Sequence, residues 1–332
     1  MGHRARFIRL PNGGFVRKIC LLFIGLFTLS SATAWAVPPV NSDNVLRAFL
    51  WDEFTQLSPQ DRPKVGLALS AGGVRGFAHV GVLEVLHNAG VPIDVMSGTS
   101  MGAVVGSMYA AGQSVPKLWE IGSHISMDTI TPDYNVMGLL RFLFLKKLPS
   151  SKNLQKFFQQ EIGDMRFEDM PIPFATAAMD VKTGEQVVFD SGPVDIAVRA
   201  SMNLPGIFDP VEYRHRHLVD GAVVNYLPVN LVQAKGADYI IASVTPPDFY
   251  SQTPQTVAAY LLRVGDVRGA AMIQESSDKA NFVIESRVVN VKTLELNKLH
   301  HAGEVGIRSA NNQLEALQED LLLFALDDIV KK

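Results

Sequence analysis

Cysteine is almost missing from this chain: Cys20 is the only one in 332 residues. A single thiol cannot form an intrachain disulfide, so stability must come from a hydrophobic core. Excess positive charge is missing too. Thirty Lys and Arg stand against 33 Asp and Glu, a formal net charge of -3, and nothing here points to nucleic acid. No clustered His, Asp or Glu spacing suggests a metal site, and no motif asks for a cofactor. There is no clear internal repeat or low-complexity tract. The longest apolar run, residues 19–29, is too short to favour a membrane span. The chain is 47% hydrophobic, and its length suits one large α/β domain.

The first 36 residues read as a separate object. Arg4, Arg6, Arg9, Arg17 and Lys18 give a positive start with no acidic residue. The apolar run follows, and then small residues end in Ala34-Trp35-Ala36. This three-part pattern is that of a secretory signal peptide, with an uncleaved N-terminal anchor as the alternative. Cleavage after Ala36 would leave 296 residues and a net charge of -8, and would remove Cys20. The reading implies export to the periplasm or cell envelope of a Gram-negative bacterium, or secretion.

Residues 37–63 form a polar, Pro-containing extension with a short helical stretch near 44–54. Beyond it, residues 65–70 read as a buried strand, followed by a glycine-rich turn at 71–76 and a helix at 77–88. A second strand at 92–96 leads through Gly98–Gly102 to a helix at 103–111. This alternation implies parallel strands with crossover helices. Strands are expected at 174–179, 186–189, 217–219 and 239–244, with helices at 196–202 and 231–235. From residue 252 onward the pattern is mainly helical.

Gly98-Thr99-Ser100-Met101-Gly102 fits G-x-S-x-G. A serine on a sharp strand-to-helix turn exposes its hydroxyl at the carboxyl end of a sheet, and the flanking glycines let strand and helix approach. The competing reading makes Ser100 a helix N-cap in a Rossmann-like turn. The loop Ala71-Gly72-Gly73-Val74-Arg75-Gly76 matches neither the dinucleotide nor the Walker fingerprint. It reads better as an oxyanion hole, since successive N–H groups at a helix start form an anion-binding concavity. Arg75 suits orientation of the loop, a lipid phosphate or a surface salt bridge.

A serine nucleophile needs a base. Of the eight histidines, none sits at a strand end, although His300 and His301 would complete the order Ser, Asp, His. Asp220 follows the apolar pair Leu218-Val219 and precedes Gly221-Ala222. A carboxylate in an apolar site has a raised pKa and can act as the base itself. An Asx-turn is the ordinary alternative.

At these residues the chain resembles the patatin-like phospholipases, over about residues 64–245. The resemblance rests on the glycine loop 71–76, Gly98–Gly102, Asp220-Gly221-Ala222, and Val198-Arg199-Ala200-Ser201-Met202-Asn203-Leu204-Pro205-Gly206-Ile207-Phe208, in that order. Ala71 departs from the pattern, where many members carry glycine. The resemblance implies a three-layer α/β/α fold with a mainly parallel central sheet, a catalytic domain at 64–250 and a helical C-terminal flank at 251–332. It implies a Ser100–Asp220 dyad acting on a lipid acyl ester through an acyl-enzyme. Oxyanion N–H groups would come from Gly72, Gly73, Val74, Arg75 and Gly76. No cofactor or calcium is expected from such a dyad.

Residues 137–147, apolar and ending in Lys146-Lys147, suit an interfacial element that meets membrane, or a core helix with a basic end. A histidine-using α/β-hydrolase esterase and a non-enzymatic lipid-binding envelope protein remain competing readings. If the leader is a signal peptide, the intact mass of protein recovered from the cell envelope will match a chain beginning at Val37. Recovery of the uncleaved chain alone would contradict it.

Overall fold

The computed structural model describes residues 42–125, 148–249 and 253–330. The leader and the segment 137–147 lie outside the described residues. The chain divides into two compact units, Met1–Glu53 and Phe54–Lys332. The described part of the first is helix α1, Ser42–Thr55, which covers the stretch expected at 44–54 and ends just past the boundary.

The second unit is built on one eight-stranded sheet. β1 (Val65–Leu69) lies between β2 (Val95–Gly98) and β7 (Tyr239–Val244), and β8 (Phe282–Glu285) extends the sheet beyond β7. β3 (Phe174–Asp180) lies beyond β2. All these contacts are parallel. β1, β2 and β7 are buried along their whole length, as parallel strands covered on both faces must be. β4 (Gln186–Phe189), β5 (Val211–Tyr213) and β6 (Arg216–Asp220) complete the sheet in antiparallel pairings. The mainly parallel α/β sheet expected from the sequence is therefore present.

Helices cover both faces. On one, Ala68, Val95, Ile240 and Ala242 pack with Val229 and Val232 of α7 (Val229–Ala234). Glycine at position 66 permits this approach, since a Cβ there would lie 2.7 Å from the Cβ of Ala237 and 3.1 Å from that of Val232. The other face carries α2 (Ala78–Asn88), α3 (Met101–Ala110) and α9 (Leu299–Phe324). Contacts from this side include Tyr239 to Phe324 and His79 to Ser243. The helical C-terminal flank is thus part of the same compact unit. It also contributes β8, a strand the sequence pattern does not announce, because its four residues are mostly half-buried and do not alternate.

The strand register explains how distant residues meet. Thr176 of β3 pairs with Gly98 on one edge and Phe189 on the other. Ala178 pairs with Asp220 and with Val187 of that same β4. β2 and β6 therefore share one edge of β3, β2 along its first half and β6 along its second. They run toward each other and end at Gly98 and Asp220, flanking the level of Ala177.

α2 and α9 cross with their backbones almost touching. A Cβ on Gly306 would lie 1.9 Å from Ala78 O, and one on Gly81 would lie 2.0 Å from Gly303 O. Gly306→Val is expected to cost on the order of 3 kcal/mol and lower the melting midpoint by about 5 °C or more. An unchanged midpoint in thermal unfolding would contradict this close crossing.

Candidate active site

The turn between β2 and α3 holds Ser100 at φ 54, ψ -121, a conformation a non-glycine residue rarely adopts. Two residues to either side of Ser100, no side chain larger than hydrogen fits. A Cβ on Gly98 would meet Gly102 O at 2.1 Å, and one on Gly102 would meet Leu69 O at 2.5 Å. Ser100 occupies the N-cap position of α3, yet its hydroxyl makes no capping hydrogen bond. It donates instead to Asp220 Oδ2 at 2.7 Å. The N-cap reading of this serine is thereby set aside.

Asp220 ends β6 and is buried, 1% exposed. Its Oδ1 accepts from the N–H of Ala222 at 2.8 Å, so one oxygen makes the Asx-type turn while the other holds the serine. Gly221 is required beside it, because a Cβ there would meet Ala177 O at 2.2 Å. Burial pushes the Asp220 carboxyl up to about 7, against the pull of the Ala222 N–H and the Ser100 hydroxyl. This is the ionisation range of a general base near neutral pH.

The segment 198–208 fixes both partners. Ser100 N donates to Ser201 Oγ at 3.1 Å. Thr176 Oγ1 donates to Gly98 O at 2.7 Å and lies 2.9 Å from the same Ser201 Oγ. Asp220 N donates to Asn203 O at 2.9 Å. The Asn203 side chain donates to Asp209 O and accepts from Ser151 Oγ, which also accepts from Arg199 Nε. The sequence marks this block by resemblance alone. The positioning roles of Thr176, Ser201 and Asn203 depend on tertiary contacts with no local pattern.

The glycine loop becomes a short 3-10 turn, Gly73–Phe77, leading into α2. It sits against the start of α3, where a Cβ on Gly76 would lie 2.7 Å from Met101 Cβ. Val74 is a correction: its N–H already donates to Thr293 O at 2.9 Å, which removes it as a ready oxyanion donor. Among the described residues, no carbonyl or side chain accepts from the N–H groups of Gly72 and Gly73. Of the alternatives for Arg75, the surface salt bridge is set aside, since its side chain is buried, and its contacts suit orientation of the loop. Arg75 pairs with Asp266 at 3.0 Å and donates to Val291 O at 3.3 Å. The chain around 266–293 therefore grips the loop from outside.

No histidine side chain among the described residues hydrogen-bonds to Ser100 or Asp220. His79 is buried, and burial holds its pKa down at about 4. Its Nε2 donates to Ser70 O at 2.9 Å and its Nδ1 accepts from Ser243 Oγ at 2.8 Å, a neutral tautomer bracing β1 and β7. His300 bonds Ser123 Oγ on the surface. A small apolar cavity of about 40 Å³ is lined by residues that include Met101 and Met202, which follow Ser100 and Ser201, together with Val104, Val80, Leu118 and Leu299. The described residues contain no group of three metal-ligating side chains.

Sequence and fold comparisons place the chain in a known family. A family model described as patatin-like phospholipase matches residues 67–232, half of the chain. This protein belongs to the patatin-like phospholipase family. It is 35% identical over 184 residues to an uncharacterized NTE family protein of Mycobacterium tuberculosis, covering 54% of this chain and 48% of that one. It is 28% identical over 214 residues to the lysophospholipase NTE1 of Candida albicans, covering 63% of this chain and 15% of that one. The chain thus spans about half the length of the mycobacterial relative. Human GIVD cytosolic phospholipase A2 shares the fold, with a TM-score of 0.50 at 11% identity, over 87% of this chain and 63% of that one.

The raised pKa has a stability consequence of definite sign. The folded chain binds the Asp220 proton more tightly than the unfolded chain, whose ordinary value is 3.8. The cost of ionising it is absent below about pH 4, grows as pH rises, and is complete above about pH 7. Asp220→Asn removes this cost and leaves His79 unchanged in both proteins. The melting midpoint of Asp220→Asn relative to wild type is therefore expected to rise by about 5 °C or more between pH 4.5 and pH 8. A difference that does not vary with pH would contradict the shifted carboxyl.

Proposed function

We propose that this protein is a serine acyl-hydrolase that cleaves fatty-acyl esters of phospholipids or lysophospholipids through Ser100 and Asp220. One observation carries the reading: the Ser100 hydroxyl donates to Asp220 Oδ2 at 2.7 Å, on a strained strand-to-helix turn. Ser100 Oγ attacks the ester carbonyl carbon as its proton passes to Asp220. The negative oxygen of the tetrahedral species is met by the N–H groups of Gly72 and Gly73, with the start of α3 beside it. Collapse breaks the ester C–O bond, and the leaving alcohol takes the proton from Asp220. Water then gives a proton to Asp220 and attacks the acyl-enzyme. The fatty acid departs, and the proton returns to Ser100.

Three further features support a lipid acyl group as the substrate. The cavity lined by Met101 and Met202 is wholly apolar and offers no polar partner for a charged group; at about 40 Å³ it takes a hydrocarbon chain only by widening. The family is described by phospholipase activity, and the Candida relative is named a lysophospholipase. The basic, apolar and small-residue leader suits action outside the cytoplasm, at the cell envelope, where such lipids are at hand.

The test uses purified protein with phospholipid and lysophospholipid vesicles, and fatty acid release is measured. Wild type is expected to release fatty acid, and a fluorophosphonate is expected to add its mass to the peptide carrying Ser100. Ser100→Ala and Asp220→Asn should each lose at least about 10³-fold in kcat, whereas His300→Ala and His301→Ala keep theirs. Undiminished release by Ser100→Ala would refute the reading. Full activity in Asp220→Asn would refute the dyad alone.

A further inference from the structure

Helix α8 (Val257–Ser277) is unusual in what it leaves uncovered. Tyr260, Leu261, Val264 and Val267 are 55%, 53%, 66% and 57% exposed. At 100° per residue these four occupy a sector of about 120° over roughly 10 Å of helix. The back of the helix is fixed. A Cβ on Gly269 would lie 2.4 Å from the Tyr226 ring, Ile273 packs on the sheet core, and Asp266 pairs with Arg75 of the glycine loop. The outward stripe is therefore held rigidly beside the site. Leu261 also reaches toward the turn at Gly206, where a Cβ would meet its Cδ1 at 3.0 Å.

We infer that this stripe is a docking surface for an anionic lipid bilayer, which the N-terminal half of α8 enters at the headgroup level. The inference rests on the lipid-hydrolase reading for its purpose, but on its own residues for its chemistry. Arg268, exposed within the apolar sector, gives a basic and apolar mixture that suits negatively charged headgroups, while Arg263, just outside the sector, also faces Asp266. Arg263 stands over the ring of Phe249, itself 37% exposed, and donates to Phe249 O. Tyr260 and Phe249 thus supply aromatic rings at the edge of the stripe, where membrane-interface proteins carry them. Further along, Gln274 and Glu275 replace the apolar residues, so the helix enters obliquely, with its first half deepest.

A second copy of the chain is a poorer occupant. The four side chains offer roughly 400 Å² of exposed surface, about half of what one partner contributes to a standard protein interface. Apolar area on that scale together with basic residues is what reversible membrane binding needs.

The test is co-sedimentation of the full-length protein with vesicles of phosphatidylglycerol and phosphatidylcholine, 3:7. Turnover of soluble p-nitrophenyl butyrate is followed in parallel. Tyr260→Ser/Val264→Ser/Val267→Ser is expected to lose at least tenfold in vesicle partitioning and in hydrolysis of vesicle lipid. Its melting midpoint and its turnover of the soluble ester should stay at wild-type levels. Removing phosphatidylglycerol should weaken wild-type binding about fivefold for each engaged arginine. A second variant, Val264→Trp, reports without disrupting the surface. Its emission should be quenched by brominated acyl chains beyond the quenching of wild type.

Unchanged sedimentation of the triple variant, or absence of extra quenching in Val264→Trp, would overturn the proposal. So would a wild-type dimer in size-exclusion chromatography that the triple variant converts to monomer. Wild-type protein that binds vesicles through this stripe but hydrolyses neither lipid nor soluble ester leaves the docking surface standing and removes the hydrolase reading.

Discussion

Ser100 and Asp220 share a hydrogen bond of 2.7 Å in a place almost closed to water, and most of the fold serves that one contact. A serine hydroxyl is a weak nucleophile, and a lone carboxylate in water is too weak a base to activate it. Burial changes the second term by raising the affinity of Asp220 for a proton to about 7. The geometry follows from one arrangement of strands. β2 and β6 meet head to head along one edge of β3, so that two strand ends finish beside the same residue, Ala177, and bring together Ser100 and Asp220, 120 residues apart in the chain. Glycines at 98, 102 and 221 keep those ends within backbone contact distance.

The supporting shell is polar and buried, which makes it costly to leave incomplete. Thr176, Ser201 and Asn203 satisfy backbone groups of Gly98, Ser100 and Asp220, Ser151 donates to the Asn203 side chain, and Arg199 donates to Ser151 in turn. The glycine loop is held by a different part of the chain. Asp266, Val291 and Thr293, all beyond the family core at 67–232, grip Arg75 and Val74. The C-terminal flank therefore positions the glycine loop, and through Asp266 it ties that loop to the same helix whose outer face is apolar.

Ser100 and Asp220 were legible in the sequence because each sits where local chemistry is distinctive. Gly98–Gly102 lies between an apolar strand and a small-residue helix, and Asp220-Gly221 follows two buried apolar residues. The parallel sheet was legible for the same reason, since 65–69 and 239–244 are short apolar runs bounded by turns. Long-range partners were not. Nothing near Val74 announces that Thr293 accepts its N–H, and nothing near Arg75 announces Asp266. β8 was hidden because Phe282–Glu285 follows a long helix and shows neither alternation nor full burial. His79 looks like a candidate base in a residue count. Only its burial between Ser70 and Ser243 reveals it as a brace.

The central claim is that Asp220 itself, with no histidine, takes the Ser100 proton. The pH dependence of the fluorophosphonate inactivation rate tests it most directly. In wild type the rate should rise tenfold per pH unit and level off near pH 7, where the Asp220 carboxyl ionises. In Asp220→Asn that inflection should vanish along with most of the rate. An inflection near neutrality that survives in Asp220→Asn would mean that another group is the base, and the direct pair would have to be abandoned.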